Sequence, residues 1–583
     1  MLTSIDFRNY RAFAKGGFRI KPLTIIVGAN SVGKTSLLHL LLLLKQTYAV
    51  TDNGYISALK LHGRDVSIGD PRNFFFNRNV DDNFTISISF QSHTLSNLLK
   101  TNLVKQFKDY IIMTTQTIYL GIQKSNGPKQ LNEAVVQLII GGRDRAFTDS
   151  DYKLLSDYVN ESYRYLVSIP TKERHLRFRP SRHMQLYNAQ KKSILELLDM
   201  FSPNSAPPND IERVGAFLQN LSSDISGNDF VFEATMALSD EKNSGSFLRV
   251  REIALRQGTQ SGERSASSGK DILRIGFNET SVTKITSSYC DERSLTRIYQ
   301  SVFSFLRPKS PVFGIINTSP PSSENRSAFP SVFYSIMRSV QDECGALFSA
   351  SKLAHIGPLR AYPKRFYFLD IAHSGTSEGD LLVETLRENE LLREKVNTWL
   401  SRFGMGVSVK LIEQLIYRLS ISNTGVNFDL DITDVGFGLS QLLPILVEGF
   451  ASPDGKTIMV EQPEIHLHPK MQGELADLFI DIAGASTNRS ENPTPRRNLI
   501  IETHSEYLLS RLRRRIAEGT IRHSDVALYV VSKNADSPGS TIKGSYIPAG
   551  GDFEWPEDFF ADDLEDTLAF LQSAVEKDEN RNN

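Results

Sequence analysis

At 583 residues the chain is longer than one ordinary hydrophobic core organises, so two or more domains are expected. Hydrophobic residues make up 40% and charged residues 23%, an ordinary globular balance, and a formal net charge of −1 argues for no particular partner, so any case for nucleic acid must rest on local patches. The two cysteines, Cys290 and Cys344, leave no disulfide framework or cysteine zinc site and fit a reducing cytoplasm.

The opening, MLTSIDFRNYRAF, is polar and alternating, unlike a signal peptide. Residues 1–20 read as two short strands, Leu2–Phe7 and Gly17–Ile20, around Asn9-Tyr10-Arg11-Ala12-Phe13. A short apolar run, Leu23–Val27, then leads into GANSVGKT, residues 28–35. The spacing Gly28, Gly33, Lys34, Thr35 is a full P-loop pattern between a strand and a helix. Glycines let successive N–H groups face an anion, and the helix that follows points its positive end at the same place. Gly28, Asn30, Ser31, Gly33, Lys34, Thr35 and Ser36 are therefore the candidate nucleotide-binding residues. Lys34 reaches the outer phosphates and the Thr35 hydroxyl sits on Mg²⁺, so ATP with Mg²⁺ is the expected ligand. The run LLHLLLLLKQ is too short to span a bilayer and reads as a helix buried behind the loop, so no membrane association is expected. Gln46 at its end is either a nucleotide-sensing glutamine or a solvated helix end.

Residues 61–69 read as a strand and turn, and Phe84–Phe90 as a strictly alternating strand. From about 95 the character changes. Leu103–Ile112 and Lys191–Phe201 carry helical spacing, and Pro203–Asp210 reads as a hinge. Between them lies a basic stretch with Lys172, Arg174, Arg177, Arg179 and Arg182, interleaved with Phe178 and Tyr187. Such a stretch contacts phosphates and stacks bases, or it is a solvated basic face that meets another subunit. Residues 230–300 alternate, with a loop at Gly258–Lys270, and 295–350 read as helical around Thr318–Ser323. After 353 strands and helices return: Val383–Leu400 is helical, and Val407–Leu411 and Val426–Ile432 are strands.

Three motifs follow. DVGFGLSQ, 434–441, places Gly438, Ser440 and Gln441 at the start of an apolar helix, a candidate anion-binding end. TIMVEQPEIHLHP, 457–469, is an apolar strand ending in a carboxylate, Glu461, which suits Mg²⁺ at a strand's carboxyl end. Gln462 follows it; a glutamine orients a water but does not take its proton at neutral pH, and Glu464 is the nearby substitute. His466 and His468 read as a contact loop rather than a metal pair. LIIETHSE, 499–506, is a second apolar strand, ending at Glu502, Thr503 and His504. Lys34 and Glu461 must meet in one sheet, so the long intervening chain is an insertion.

These motifs resemble those of ABC-type ATPases of the SMC, RecF and OLD kind. The resemblance implies an α/β fold, an ABC/SMC-type P-loop ATPase sheet with a large, mainly helical insertion between its Walker A and signature motifs. The expected segments are 1–94 (Walker A), 95–350 (insertion, mainly helical with some strands) and 351–583 (signature, Walker B and switch histidine). It further implies that Gly438, Ser440 and Gln441 act in trans on the γ-phosphate held by a second subunit's P-loop. Glu461 then binds Mg²⁺, Gln462 and Glu464 stand at the catalytic position, and His504 contacts the γ-phosphate. Tyr10, Arg8 or Arg11 lies near the nucleotide, or else on the surface of an edge hairpin. Gln462 in place of the usual glutamate puts fast hydrolysis in doubt.

The stretches IGPLR (356–360), DVGFGLSQLLPIL, VEQPEIHLHP, IETHSEYLLSRLRRRI and GGDFEWPEDFF are similar to bacterial SMC-like AAA ATPases with a C-terminal domain of unknown function. Within them, the chain resembles the ATPases of Septu-type anti-phage systems, including retron-linked ones. That implies a cytoplasmic homo-oligomer working with a separate HNH nuclease, and in retron forms with a reverse transcriptase and its RNA–DNA product. No Asp-x-Asp pair follows His504, so no intrinsic nuclease is expected. Arg511, Arg513, Arg514 and Arg515 are either a nucleic-acid or partner contact or a basic helix end. A RecF-like DNA-repair ATPase and a non-hydrolysing nucleotide-gated scaffold are the alternative readings.

Overall fold

Five consecutive buried residues, Leu23–Val27, form a strand because both of its faces are covered, the pattern of a central parallel strand. This computed structural model describes residues 1–50, 55–123, 133–141, 145–168, 210–241, 245–258, 269–278, 281–290, 306, 309–315, 328–360, 363–368, 378–413, 416–424, 426–487, 497–533 and 538–553. The chain divides into two compact units, one of residues 2–46, 61–82 and 347–583, the other of Met1, 47–60 and 83–346.

The first unit opens with an antiparallel hairpin, β1 (Leu2–Tyr10) and β2 (Phe13–Arg19). Phe7 packs edge to face on both Tyr10 and Phe13, which closes the hairpin over an aromatic core. The central strand, β3 (Leu23–Val27), leads through the glycine loop to α1 (Lys34–Tyr48). Leu37, Leu38 and Leu40 through Leu44 are all fully buried; a helix apolar on every side belongs inside a core.

The second unit carries β4 (Phe84–Gln91), then α2 (His93–Asn97), a π-turn at Leu98–Asn102 and α3 (Leu103–Gln123). Helices α4 (Glu133–Gly141), α5 (Asp149–Ser168) and α6 (Asp210–Asp224) follow. Strands β5 (Asp229–Glu241), β6 (Gly245–Gln257), β7 (Asp271–Phe277) and β8 (Val282–Thr286) form an antiparallel meander on β4, and α7 (Ala328–Ala346) ends the unit. This unit holds both strands and helices, and β4 clusters with it although the sequence groups that strand with the first segment. The basic stretch Lys172–Arg182, the Lys191–Phe201 helix, the hinge at 203–210 except for Asp210, most of the 258–270 loop, the 318–323 loop and the chain after 553 lie outside the described residues.

The chain returns to the first unit through β9 (Leu353–Ile356) and β10 (Tyr367–Phe368). The predicted helix 383–400 is two helices, α8 (Glu378–Glu388) and α9 (Glu390–Leu400). The break is Asn389, whose side chain caps α9 by accepting from Leu392 N. Strands β11 (Met405–Glu413), β12 (Ile416–Asn423) and β13 (Val426–Asp431) build a small antiparallel sheet with β10. Then come α10 (Phe437–Ala451), β14 (Thr457–Glu461), α11 (Pro469–Ala483), β15 (Asn498–Glu502), α12 (Glu506–Ala517), β16 (Val526–Ser532) and β17 (Thr541–Ser545).

The main sheet runs β17-β16-β3-β15-β14-β9, parallel throughout except for β17 at its edge. The fold class is therefore α/β. Placing β15 directly beside β3 brings the P-loop and the 499–506 motif to the same carboxyl edge, where such sheets bind ligands. Among the described residues no helix is long and apolar enough to cross a membrane.

Candidate nucleotide site

Two glycines of the loop are required by geometry. Gly28 has φ 147°, and a Cβ there would lie 2.1 Å from the Val531 carbonyl oxygen. Gly33 has φ 105°, and a Cβ would press on Ala12 at 2.9 Å and on the Phe13 ring. The hairpin and β16 thus clamp the loop from outside. Ser31, at φ 63°, also takes the left-handed region. Tyr10 is fully buried and donates its hydroxyl hydrogen to Ser36 O at 3.0 Å, so it supports the first turn of α1 from the core. Arg11 donates to His39 Nδ1 at 3.0 Å on the same helix. Of the two readings of this opening, Tyr10 fits neither a surface place nor a nucleotide contact.

Lys34 is 4% exposed and its ammonium donates to the carbonyls of Gly28 and Ala29 at 2.9 and 2.6 Å. Burial lowers its pKa, opposed by the Glu502 and Glu464 carboxylates. The Thr35 hydroxyl donates to Glu502 Oε1 at 3.0 Å. Glu502 and Glu461 are paired in register at the ends of β15 and β14. Glu461 is 5% exposed; one of its carboxylate oxygens lies 2.7 Å from His355 Nε2, and its backbone oxygen accepts from Arg360 at 2.9 Å.

Glu464 has both oxygens engaged, accepting from Thr503 Oγ1 at 2.8 Å and from His504 N at 2.7 Å. It therefore fastens Thr503 and His504, just after β15, to the turn after β14. Burial raises its pKa, with the His504 backbone bond the largest opposing influence. Gln462 has φ 42° and donates its backbone N–H to Glu502 O at 2.7 Å, a left-handed residue that ties the ends of β14 and β15 together. Burial lowers the pKa of His504, and nearby Lys34 lowers it further, which favours the neutral ring.

Several polar atoms in this cluster are buried with no hydrogen-bond partner among the described residues: Glu502 Oε2, His504 Nε2, and Arg360 Nε and Nη1. Burial pushes the Glu502 carboxyl up to about 7; the Thr35 bond opposes this and the Glu461 carboxylate adds to it. Orphaned buried groups are costly, and here they gather around one loop built to hold an anion. The oxygen donors present, Thr35, Glu461 and Glu502, are the hard ligands that Mg²⁺ takes, one or two carboxylates alongside phosphate oxygens. The residues thus fit the metal that the P-loop implies.

The second motif adjoins the turn after β14. Gly438 packs where a Cβ would meet the His466 carbonyl oxygen at 2.6 Å. Ser440 and Gln441 are 6% and 2% exposed within this chain, and Gln441 Nε2 is buried without a hydrogen-bond partner among the described residues. His468 caps α11, its ring nitrogen accepting from Lys470 N at 3.3 Å. Gln46 is neither of the things expected: it is 5% exposed and bonds Val66 N and O, a clip that closes the 61–68 turn. The arginines of α12 are ion-paired within the chain. Arg511 and Arg515 hold Asp477, Arg514 holds Glu518 and Arg513 holds Asp552. His355, Arg360 and Glu502 are the residues that sequence reasoning undervalued. Their signal was present in AHIGPLR (354–360) and IETHS (501–505), where polar residues sit at or just beyond the ends of apolar strands.

The profile of the AAA ATPase domain family matches residues 1–193 and 378–509, more than half of the chain. The chain belongs to this family. The match includes the P-loop, Glu461, Glu464 and His504, while His355 and Arg360 lie outside it. No curated protein matches the chain. Among solved structures it is similar to the SMC head domain from Thermotoga maritima, at 8% identity and a TM-score of 0.32, covering 93% of this chain and 98% of that one. It is also similar to an SMC head bound to the C-terminal winged-helix domain of ScpA, at 9% identity and 0.30, covering 93% and 97%. An SMC head with coiled coil and joint from Pyrococcus yayanosii gives 9% and 0.27, covering 94% and 97%.

Proposed function

We propose that this chain binds and hydrolyses ATP with Mg²⁺, and that the nucleotide state controls an oligomeric assembly and a partner effector. The observation that carries the reading is the ring of buried, unpartnered polar atoms on Glu502, His504 and Arg360 beside a complete P-loop. Lys34 turns its ammonium from the Gly28 and Ala29 carbonyls to the outer phosphates. Thr35, Glu461 and Glu502 would hold Mg²⁺, which neutralises phosphate charge. Gln462 orients the attacking water, and Glu464 keeps His504 in place to contact the γ-phosphate. Slow turnover follows from an amide in the position of a proton acceptor. Of the three residues assigned a role in trans, Ser440 and Gln441 are buried within this chain, so the role falls to the start of α10 around Gly438, and it makes the working form at least a homodimer.

The motif resemblance extends the proposal to a bacterial anti-phage defence ATPase of the Septu type, working in the cytoplasm. Its partner would be an HNH nuclease, with a reverse transcriptase and its RNA–DNA product in retron-linked forms. The internal pairing of Arg511 to Arg515 takes one basic candidate away from a RecF-like DNA-binding reading. The test is ATP turnover by the full chain, its Lys34→Ala variant and its Gln462→Glu variant, with native mass measured in ATP, in ADP and without nucleotide. Turnover lost in Lys34→Ala and an assembly that changes with nucleotide support the reading. Equal turnover in parent and Lys34→Ala refutes it. Co-purification with genomically neighbouring proteins tests the effector.

A further inference from the structure

Arg360 stands at the carboxyl end of β9, beside β14, and is 6% exposed. Its Nη2 donates to the Glu461 backbone oxygen at 2.9 Å, while Nε and Nη1 are buried with no hydrogen-bond partner among the described residues. A guanidinium cannot shed this cost by losing its proton. Burial brings its pKa down to about 10, against the pull of Glu464 and Glu461, so it stays charged at neutral pH. The carboxylates nearby do not complete it. Glu464 gives its oxygens to Thr503 and His504, and one oxygen of Glu461 faces His355. The group is held in place by one bond and left with two donors for something else.

We infer that Arg360 is a phosphate-binding residue of this site, contributed by the same chain, that recognises the terminal phosphate of a nucleoside triphosphate. This rests on the nucleotide-binding reading above. The planar fork of an arginine matches phosphate oxygens with two donors at once. The position selects the terminal phosphate. Lys34 and Arg360 both lie in the field of Glu464, Lys34 from the loop side and Arg360 from the Walker B side. In a P-loop the lysine reaches the outer phosphates, and the strand end that carries Glu461 and Gln462 faces the bond to be cut. A cation bonded to the Glu461 backbone is therefore placed toward the terminal phosphate and away from the first.

The test compares ATP and ADP binding, with Mg²⁺, by calorimetry on the full-length parent, Arg360→Met, Arg360→Lys and Lys34→Ala, together with melting temperature without nucleotide. Arg360→Met is expected to lose tenfold or more in ATP affinity and less than twofold in ADP affinity. Without nucleotide it should melt no lower than the parent, because the neutral side chain removes an unpaired buried charge. Arg360→Lys, a point charge without the fork, should fall between the two. Unchanged ATP affinity in Arg360→Met, or equal loss of ATP and ADP with a lower melting temperature, overturns the inference and makes Arg360 a packing residue. A parent that binds neither nucleotide, or a Lys34→Ala variant that binds both normally, overturns the site itself and this inference with it.

Discussion

The Thr35 hydroxyl donates to Glu502 at 3.0 Å although 467 positions of sequence separate them. This bond joins the first turn of α1 to the end of β15, and it exists because β15 lies directly beside β3. Removing the hydroxyl with Thr35→Ala leaves Glu502 with two unpartnered buried oxygens. The cost expected is about 1–3 kcal/mol of stability without nucleotide. Glu502→Gln acts the other way, since it keeps an acceptor for Thr35 and removes repulsion from Glu461. Its nucleotide-free melting temperature should match or exceed the parent's; a large drop would show that the carboxylate's charge is balanced in the resting protein.

His355 holds one Glu461 carboxylate oxygen at 2.7 Å. Partners of this kind orient a metal ligand, and losing one typically weakens metal affinity by about 10–100-fold. His355→Ala should raise the Mg²⁺ concentration needed for half-maximal ATP binding by about tenfold, and His355→Gln, which retains a donor, by much less. A titration of Mg²⁺ at fixed ATP reads both. Equal behaviour of the two variants would mean that His355 only fills space.

Gly28→Ala places a methyl group 2.1 Å from the Val531 carbonyl in a backbone conformation closed to alanine. Because that neighbour is main chain in β16, it cannot swing aside. The expected loss is about 2 kcal/mol or more, with ATP affinity lost as the loop is displaced. Gly436→Ala serves as the control, since nothing lies near that position and φ is negative. Thermal melting of the two variants distinguishes a local clash from a general cost of added methyl groups.

Asp151 in α5 accepts from Thr148 N at 2.7 Å and Thr148 Oγ1 at 2.9 Å, and its own N–H bonds the Thr148 hydroxyl in return, a reciprocal cap. Arg145 beside it, with the Thr148 bonds, holds its carboxyl down at about 2 from the usual 3.8. A depressed carboxylate stabilises the fold above its unfolded pKa and loses that effect as pH falls through the folded value. Asp151→Asn should therefore lower the melting temperature at pH 6, and the gap from the parent should narrow between pH 4 and pH 2. A gap that stays constant over that range would assign the effect to shape and not to charge.

The P-loop, its strand and its helix were legible because they are local: two glycines, a lysine and a threonine between two apolar runs make their own case. Glu461 and the 499–506 strand were legible for the same reason, since five buried residues ending in polar groups is a short-range pattern. The break at Asn389 was missed because an asparagine within a helical period reads as one more polar position until its side chain is seen to cap. Gln46 was misread because its partner, Val66, belongs to a turn whose packing no local pattern reveals. The arginines of α12 look alike in sequence to a nucleic-acid contact. Their acids, Glu474 and Asp477, come from another helix.

By itself the sequence determined that this chain has a P-loop motif between a strand and a helix and apolar strands that end in carboxylates, since each depends on residues near one another in the chain. Only the tertiary structure decided which polar groups share one buried site. Strand order β3-β15-β14-β9 brings Lys34, Glu502, Glu461 and Arg360 to one edge, and burial there leaves donors and acceptors without partners. Charge and hydrogen-bond satisfaction depend on distance through space, and the order of strands in a sheet is what converts distance along the chain into distance through space.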